Sequence, residues 1–260
     1  MSTITTEQVK ELRDQTGVSV MQCRKALEEA NGDMEKALII LRKKGSEVAE
    51  KKSDRSANDG RIVIKQDGKK AVALTLYCET DFVAQNADFV TLAEKLVETA
   101  WNEGAEKAKE VAPALISDVV LKIGENIQLG AIDTFEGDTI GSYTHFNGKN
   151  AALVVLDGGT AEAAKDIAMH VSAMKPAFLS ADEITQEQKD AVIDVLKKEV
   201  EESDKPEDIK AKMMEGKISA YFKEQTLLDQ PFFKQPEHTI GAYAQKSGGT
   251  LKAFKLYQLG

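Results

Sequence analysis

Two acids and a threonine surround a phenylalanine in Glu79-Thr80-Asp81-Phe82-Val83-Ala84-Gln85. Carboxylates this close along an extended chain make a poor general acid and base pair. Recognition is the better use for them. An acid accepts hydrogen bonds from a partner's donors, and an aromatic beside it can enter a partner's pocket as an interface anchor. The bland reading of Phe82 is a staple that packs the loop onto its own core. The other chemistry-bearing residues are scattered. His145, His170 and His238 lie far apart, and none has metal-ligand spacing from a cysteine or another histidine. His170, beside Val171 on a helical pattern, reads as a satisfied core or interface residue rather than a base. No Gly-x-x-x-x-Gly-Lys-Ser/Thr loop is present, so the chain should not hold a nucleotide itself. No cofactor, no metal and no catalytic residue are expected.

The elements around this stretch explain its interest. A patterned strand, Ala71 to Cys78, precedes it, and an amphipathic helix from near Ala87 follows, with Phe89, Leu92, Ala93, Leu96, Val97 and Ala100 at helical spacing and Trp101 finishing the face. A strand-to-helix connection is normally polar because its backbone must meet water. Ile62–Lys65 and Ala71–Cys78 flank Gln66-Asp67-Gly68-Lys69, and Asp-Gly between alternating runs predicts a hairpin. A further helical piece, Ala114–Lys122, leads through Gly124-Glu125-Asn126 to a strand over Ile127–Phe135 that alternates imperfectly.

The plan then repeats. Gly141–Phe146, Asn147-Gly148 and Ala151–Leu156 form a second hairpin, its turn eighty residues after Asp67-Gly68. A helix follows, with Ala163, Ile167, Ala168, Val171 and Met174 inward, and stops before Pro176. This copy passes from strand to helix through Asp157-Gly158-Gly159-Thr160, an ordinary turn. The Thr80–Gln85 element is therefore present in one copy and dispensable in the other, which favours the projecting reading of Phe82.

Three short helices are predicted ahead of the repeats. Thr5-x-x-Gln8 is a capping box for the first, which carries Val9 and Leu12 and stops at Gly17. Ser19 opens the second, with Val20, Cys23, Leu27 and Ala30 on one face, and Asn31-Gly32 closes it. Asp33 caps the third, with Met34, Ala37, Leu38 and Leu41 inward and Gly45 at its end. Met21 and Val18, near the Gly17 turn, either stay partly exposed as an adaptable contact or fill a thin core. Gly45 to Asp59 is nearly free of apolar residues and reads as a linker, partly helical at most. From Thr185 to about Gln225 two stripes, Val192-Val195-Leu196-Val200 and Ile209-Met213-Ile218-Phe222, flank a break at Ser203-Asp204-Lys205-Pro206. They predict a projecting antiparallel helical hairpin, either a solvated insertion or a partner site. Thr250–Tyr257 alternates as the last strand of the second sheet.

The fold class is therefore α+β, divided into a helical bundle over residues 1–45, a linker over 46–59, a first core subdomain over 60–140, a second over 141–182 and 226–260, and the hairpin over 183–225. The formal charge of −9 opposes a phosphate backbone, so nucleic acid is not expected as a direct partner. No apolar run approaches the length that spans a bilayer, and Met1–Glu7 lacks the features of a signal or presequence, so membrane is excluded and the cytoplasm is expected. Cys23 and Cys78, on apolar faces of a helix and a strand, read as buried free thiols in a reducing compartment.

The residues carry a resemblance. Val9-Lys10-Glu11-Leu12-Arg13, Thr16-Gly17, Met21-x-Cys23-x-Lys25-Ala26-Leu27 and Ala30-Asn31-Gly32-Asp33 resemble the N-terminal module of the elongation factor Ts family, the exchange factors of the translation GTPase elongation factor Tu. Thr80-Asp81-Phe82-Val83-Ala84 resembles that family's exchange motif, and Ile167-Ala168-Met169-His170-Val171 the helix of its second core half. Separated motifs in one order, from the first helix to the last strand, make the likeness specific. It implies a UBA-like bundle and a guanine nucleotide exchange factor that binds elongation factor Tu, GDP-bound and nucleotide-free. It implies partner contacts from Thr80, Asp81, Phe82 and Val83, with Phe82 as a wedge near the GTPase's magnesium site and Asp81 on nearby donors. Lys10, Leu12, Met21 and Arg24 would contact the partner from the bundle, and His170 from the second core half. Val20 and Arg24 depart from the Met and Lys of the pattern, and many members continue beyond the position of Gly260 into a further helix that adds to affinity. A homodimer through the hairpin or second core half is left open. The rival reading is an interaction scaffold, which predicts binding without nucleotide release.

Overall fold

The computed structural model describes residues 4–201 and 205–260. Its first helix, α1 (Thr6–Thr16), is opened by the capping box: Thr5 Oγ1 accepts from Gln8 N–H while Gln8 Oε1 accepts from Thr5 N–H. Gly17 ends it in the left-handed conformation that glycine adopts without a Cβ clash. α2 (Val20–Glu29) is capped by Ser19 and α3 (Met34–Lys52) by Asp33. Leu12, Val18, Cys23, Ala26, Leu27, Ala37 and Leu41 fill the bundle. Of the alternatives left open for Val18 and Met21, Val18 fills the core and Met21 is exposed, while Val20, expected on the inward face, is exposed.

Helix α3 does not stop at Gly45, and residues 46–52 of the expected linker are helical. The reason is tertiary. Gly45 is buried against helix α6 (Ala105–Ile123), where a Cβ on it would lie 2.7 Å from the Ser117 carbonyl oxygen. The glycine permits two helices to approach closely, and packing carries the helix through it. α6 also starts earlier than Ala114 and contains Pro113. Both Pro113 and Lys109, whose carbonyl loses its helical partner, are exposed, so the missing bond falls on the solvent side of the helix.

The first sheet has the order β1-β2-β3, from β1 (Asp59–Gln66), β2 (Lys70–Cys78) and β3 (Ile127–Glu136), all antiparallel. Between β2 and β3 the one-turn helix α4 (Asp81–Ala84), α5 (Ala87–Glu103) and α6 cross its outer face. A bulge sets Gly130 and Ala131 opposite Thr75, whose hydroxyl accepts from Ala131 N–H at 2.8 Å. That extra residue is the cause of the imperfect alternation in β3. The second sheet repeats the order with β4 (Thr139–Thr144), β5 (Asn150–Gly158) and β8 (Gly249–Gln258), and is covered by α7 (Ala161–Met174). Two short strands, β6 (Pro231–Phe232) and β7 (Gln235–Thr239), and helix α10 (Ile240–Lys246) complete that cover, and no local pattern in the sequence predicts them.

The two sheets stand back to back. Val72, Leu74, Leu76 and Cys78 face the helices, while Ala71 and Ala73 meet Ala151, Leu153, Val155 and Tyr257 of the other sheet. A central strand buried on both faces reads as a continuous apolar run, as β2 and β5 do. The hairpins clasp each other: Ile62 N–H donates to Gly148 C=O and Ile140 N–H to Gly68 C=O, each at 2.8 Å. Tyr257 O–H donates to Asp133 across the seam at 2.9 Å, and burial with the Asp133 charge pushes its phenol pKa up.

The hairpin consists of α8 (Gln186–Glu201) and α9 (Glu207–Gln225), in contact mainly with each other. Ser203 and Asp204 of the expected break lie outside the described residues, and Pro206 caps α9. Val200 is buried between the helices, whereas Val195 and Ile209, expected in the stripes, are exposed. A neck closes the base, where Phe178 bridges Thr226, and Leu227 and Leu228 N–H donate to Phe178 and Leu179 C=O at 2.8 and 3.1 Å.

Candidate functional site

Strand β2 delivers the chain to Glu79 from a fixed place at the centre of its sheet. Cys78 is buried, and its Sγ donates to Thr80 C=O at 3.1 Å. Burial, with the carboxylates of Asp59 and Glu125 nearby, pushes the thiol up to about 12, which makes it unreactive. Thr80 then caps α4, its Oγ1 accepting from Val83 N–H at 3.4 Å. One helical turn sorts the next residues onto two sides. Val83 and Ala84 join the core beside Phe89 and Leu92, and Asp81 and Phe82 face outward. Phe82 is 84% exposed, so it is no staple. Asn86 ends the turn and caps α5 through Asp88 N–H.

The turn is held from below by a carboxylate. Glu125, in the loop between α6 and β3, accepts from the N–H groups of Glu79 and Thr80 at 3.1 Å each and from the Thr80 hydroxyl at 2.8 Å. The loop is held in return, since Glu79 accepts from Asn126 N–H at 2.7 Å and stands 3.5 Å from Arg55. Asn126 donates to Arg55 C=O at 2.6 Å, and Lys52 reaches Gly124 C=O. Three segments thus converge: the end of α3, the entry to α4 and the entry to β3. In the sequence Gly124-Glu125-Asn126 marks only a turn; the acid's three donors are distant along the chain.

The second copy lacks the device. Thr160 caps α7 directly, and Gly158, in a left-handed conformation, approaches so closely that a Cβ would lie 2.8 Å from Gly248 C=O. The hairpin tip of this half carries Phe146, 92% exposed, with its ring centroid 4.4 Å from that of His145. Lys149, three residues on, bonds Asp59 at 2.6 Å. That hydrogen bond, helped by the charges of Asp59 and Asp81, raises its pKa against desolvation.

The remaining expected residues divide by burial. Lys10 and Arg24 are exposed, Arg24 pairing with Glu28, and Met21 is 67% exposed at the start of α2. Leu12 is fully buried in the bundle, not at its surface. His170 is fully buried too. Its Nε2 bonds Gln230 Oε1 at 2.9 Å, its Nδ1 accepts from Phe233 N–H at 3.4 Å, and its ring stacks on Phe233. Burial holds its pKa below the usual histidine value, partly offset by Gln230. Neither Leu12 nor His170 is placed to touch a partner directly. Among the described residues no group of three or more His, Cys, Asp or Glu could hold a metal, and no helix is long and apolar enough to cross a membrane.

Comparison with known proteins agrees with this architecture. The family described as Elongation factor TS matches residues 79–260, a span that begins at the root of the turn and takes in β3 and the whole of the second sheet. A relative from Cellvibrio japonicus (strain Ueda107), described as Elongation factor Ts, is 40% identical over 269 residues, covering 100% of this chain and 92% of its own length. On both counts the chain belongs to the elongation factor Ts family.

Proposed function

We propose that the protein is a guanine nucleotide exchange factor that binds elongation factor Tu carrying GDP, loosens its Mg²⁺ and phosphate contacts, and frees the site for GTP during translation elongation. The observation that carries this reading is Phe82, an aromatic ring left in solvent beside Asp81 on a turn that the other half of the core does without. An aromatic beside an acid on a fixed turn is the form an interface anchor takes. Phe82 enters the partner as a wedge, Asp81 accepts from donors beside it, and Thr80 and Val83 hold the pair in place.

The GTPase cradles GDP through backbone N–H groups and Mg²⁺. Displacing those contacts makes GDP and this protein mutually weakening ligands, by equal factors in both directions. Accelerating release ten-thousandfold requires about 5.5 kcal/mol. Burying one phenylalanine supplies roughly 2–3 kcal/mol, so other surfaces contribute. Lys10, Met21 and Arg24 on the bundle supply part of that binding. Leu12 and His170 act from beneath, by holding the bundle and second-half surfaces in shape. The protein turns over no substrate of its own and works in the cytoplasm.

The test follows fluorescent GDP leaving bacterial elongation factor Tu with the intact protein and with Phe82→Ala. Acceleration by the first and a marked loss in the second, with binding retained, supports the wedge. Equal acceleration moves the exchange surface elsewhere. If neither accelerates release, the exchange reading falls and the scaffold reading takes its place.

A further inference from the structure

An exposed ring has no packing to aim it. Phe82 is 84% exposed and pairs with no other aromatic ring among the described residues, so its direction is set chiefly by its backbone. That backbone is a single helical turn, too short to be stable by itself. It is fixed at both ends: Val83 and Ala84 pack into the core, and at its start Thr80 has its N–H, hydroxyl and carbonyl all engaged, the first two by Glu125. We infer that Glu125 is a positioning residue for exchange: its carboxylate sets the direction in which Asp81 and Phe82 project. The inference rests on the exchange reading above and deepens it.

The chemistry of the position supports a carboxylate in particular. Three donors converge on two oxygens, two N–H groups on Oε2 and a hydroxyl on Oε1. An ionised acid accepts all three through charge-assisted bonds. An amide of the same size has one acceptor oxygen and would present its own N–H₂ to the others. Among the described residues no cation forms an ion pair with Glu125, and Arg55 pairs with Glu79 instead. The negative charge is thus spent on backbone and hydroxyl donors at the root of the turn. The Asn126–Arg55 and Lys52–Gly124 contacts keep the loop that bears it from drifting. Sub-ångström placement matters here because a wedge works only when its geometry matches the site it opens.

The experiment measures GDP release from bacterial elongation factor Tu over a range of exchange-factor concentrations for the parent, Glu125→Gln, Thr80→Val and each combined with Phe82→Ala. Glu125→Gln should lower the saturating rate about tenfold, the scale of one or two lost charge-assisted bonds. The half-saturating concentration should change less than about threefold, because the wedge contact that the change misaims is made in the exchange step. In the Phe82→Ala background the same change should have a much smaller effect, only Asp81 being left to aim. Thr80→Val should show the same pattern, smaller, and carries the test should Glu125→Gln fail to fold. A parent-like saturating rate in the folded Glu125→Gln protein overturns the inference alone. So does an equal loss with and without Phe82, which would make Glu125 a support of the fold. No acceleration by the parent overturns the exchange reading, and this inference with it.

Discussion

Thr80 gives both its backbone N–H, at 3.1 Å, and its hydroxyl, at 2.8 Å, to the single carboxylate of Glu125. The two residues are 45 positions apart, so the contact forms only once the strands and helices between them are in place. It joins the most exposed part of the candidate site to the base of β3. The same carboxylate also accepts from Glu79 N–H, so both amides at the root of the turn are hydrogen-bonded.

That root is open to direct measurement by amide hydrogen exchange. The amides of Glu79, Thr80 and Asn126 should exchange slowly, with protection near that of β2, and the amide of Phe82 faster. In Glu125→Ala the Glu79 and Thr80 amides should lose most of this protection while those of β5 keep theirs.

Two phenylalanines seven residues apart should behave oppositely. Phe82→Ala should change folding stability by less than about 0.5 kcal/mol, because the side chain is exposed. Phe89→Ala, which empties a fully buried position beneath the same turn, should cost about 3–5 kcal/mol. Chemical denaturation of the two variants reads both values.

Glycine to alanine should change sign between two helices. Gly216 in α9 has nothing within 4 Å of a built Cβ, so Gly216→Ala should stabilise by roughly 0.5–1 kcal/mol through helix propensity. Gly45→Ala gains the same propensity but drives a methyl into the Ser117 carbonyl at 2.7 Å. Overpacking against backbone costs about 1–3 kcal/mol, so the net effect should be a lower melting temperature.

His170 gives a pH dependence. Its neutral ring donates through Nε2–H to Gln230 and accepts at Nδ1 from Phe233 N–H. Protonation would put a second N–H against that donor. With the folded pKa held below the unfolded value of 6.5, the unfolded state binds the extra proton first as pH falls. Stability is then independent of this group above about pH 6.5 and declines below it. Melting curves from pH 7.5 to 5.5 should fall more steeply for the parent than for His170→Gln.

Much of this fold is legible in the sequence because its signals are local. Asp67-Gly68 and Asn147-Gly148 mark hairpins by turn chemistry, and Thr5, Ser19 and Asp33 mark helix starts by capping. The failures share a different cause. Gly45 and Pro113 look like helix ends, and tertiary packing or solvent exposure overrides both. Gly45 is small because α6 lies against it. At the site, Phe82 stood out as an aromatic out of place, but whether it packs or projects depends on the solvent around it. Glu125 was invisible as a partner of Thr80 for the same reason, since no pattern of spacing records which distant donors an acid will meet.

The neck at Phe178 and Thr226 bears on how quickly the second sheet assembles. Gly158 of β5 must find Gly249 of β8 across a long stretch of chain, a pairing of the non-local kind that slows folding. If the neck zips first, α8 and α9 are tied off as a side branch and the loop left to close is roughly halved. Each halving lowers the closure entropy by about 0.6 kcal/mol, about threefold in rate. The insertion thus carries its own bypass, and the chain crosses to its last strand by the shorter road.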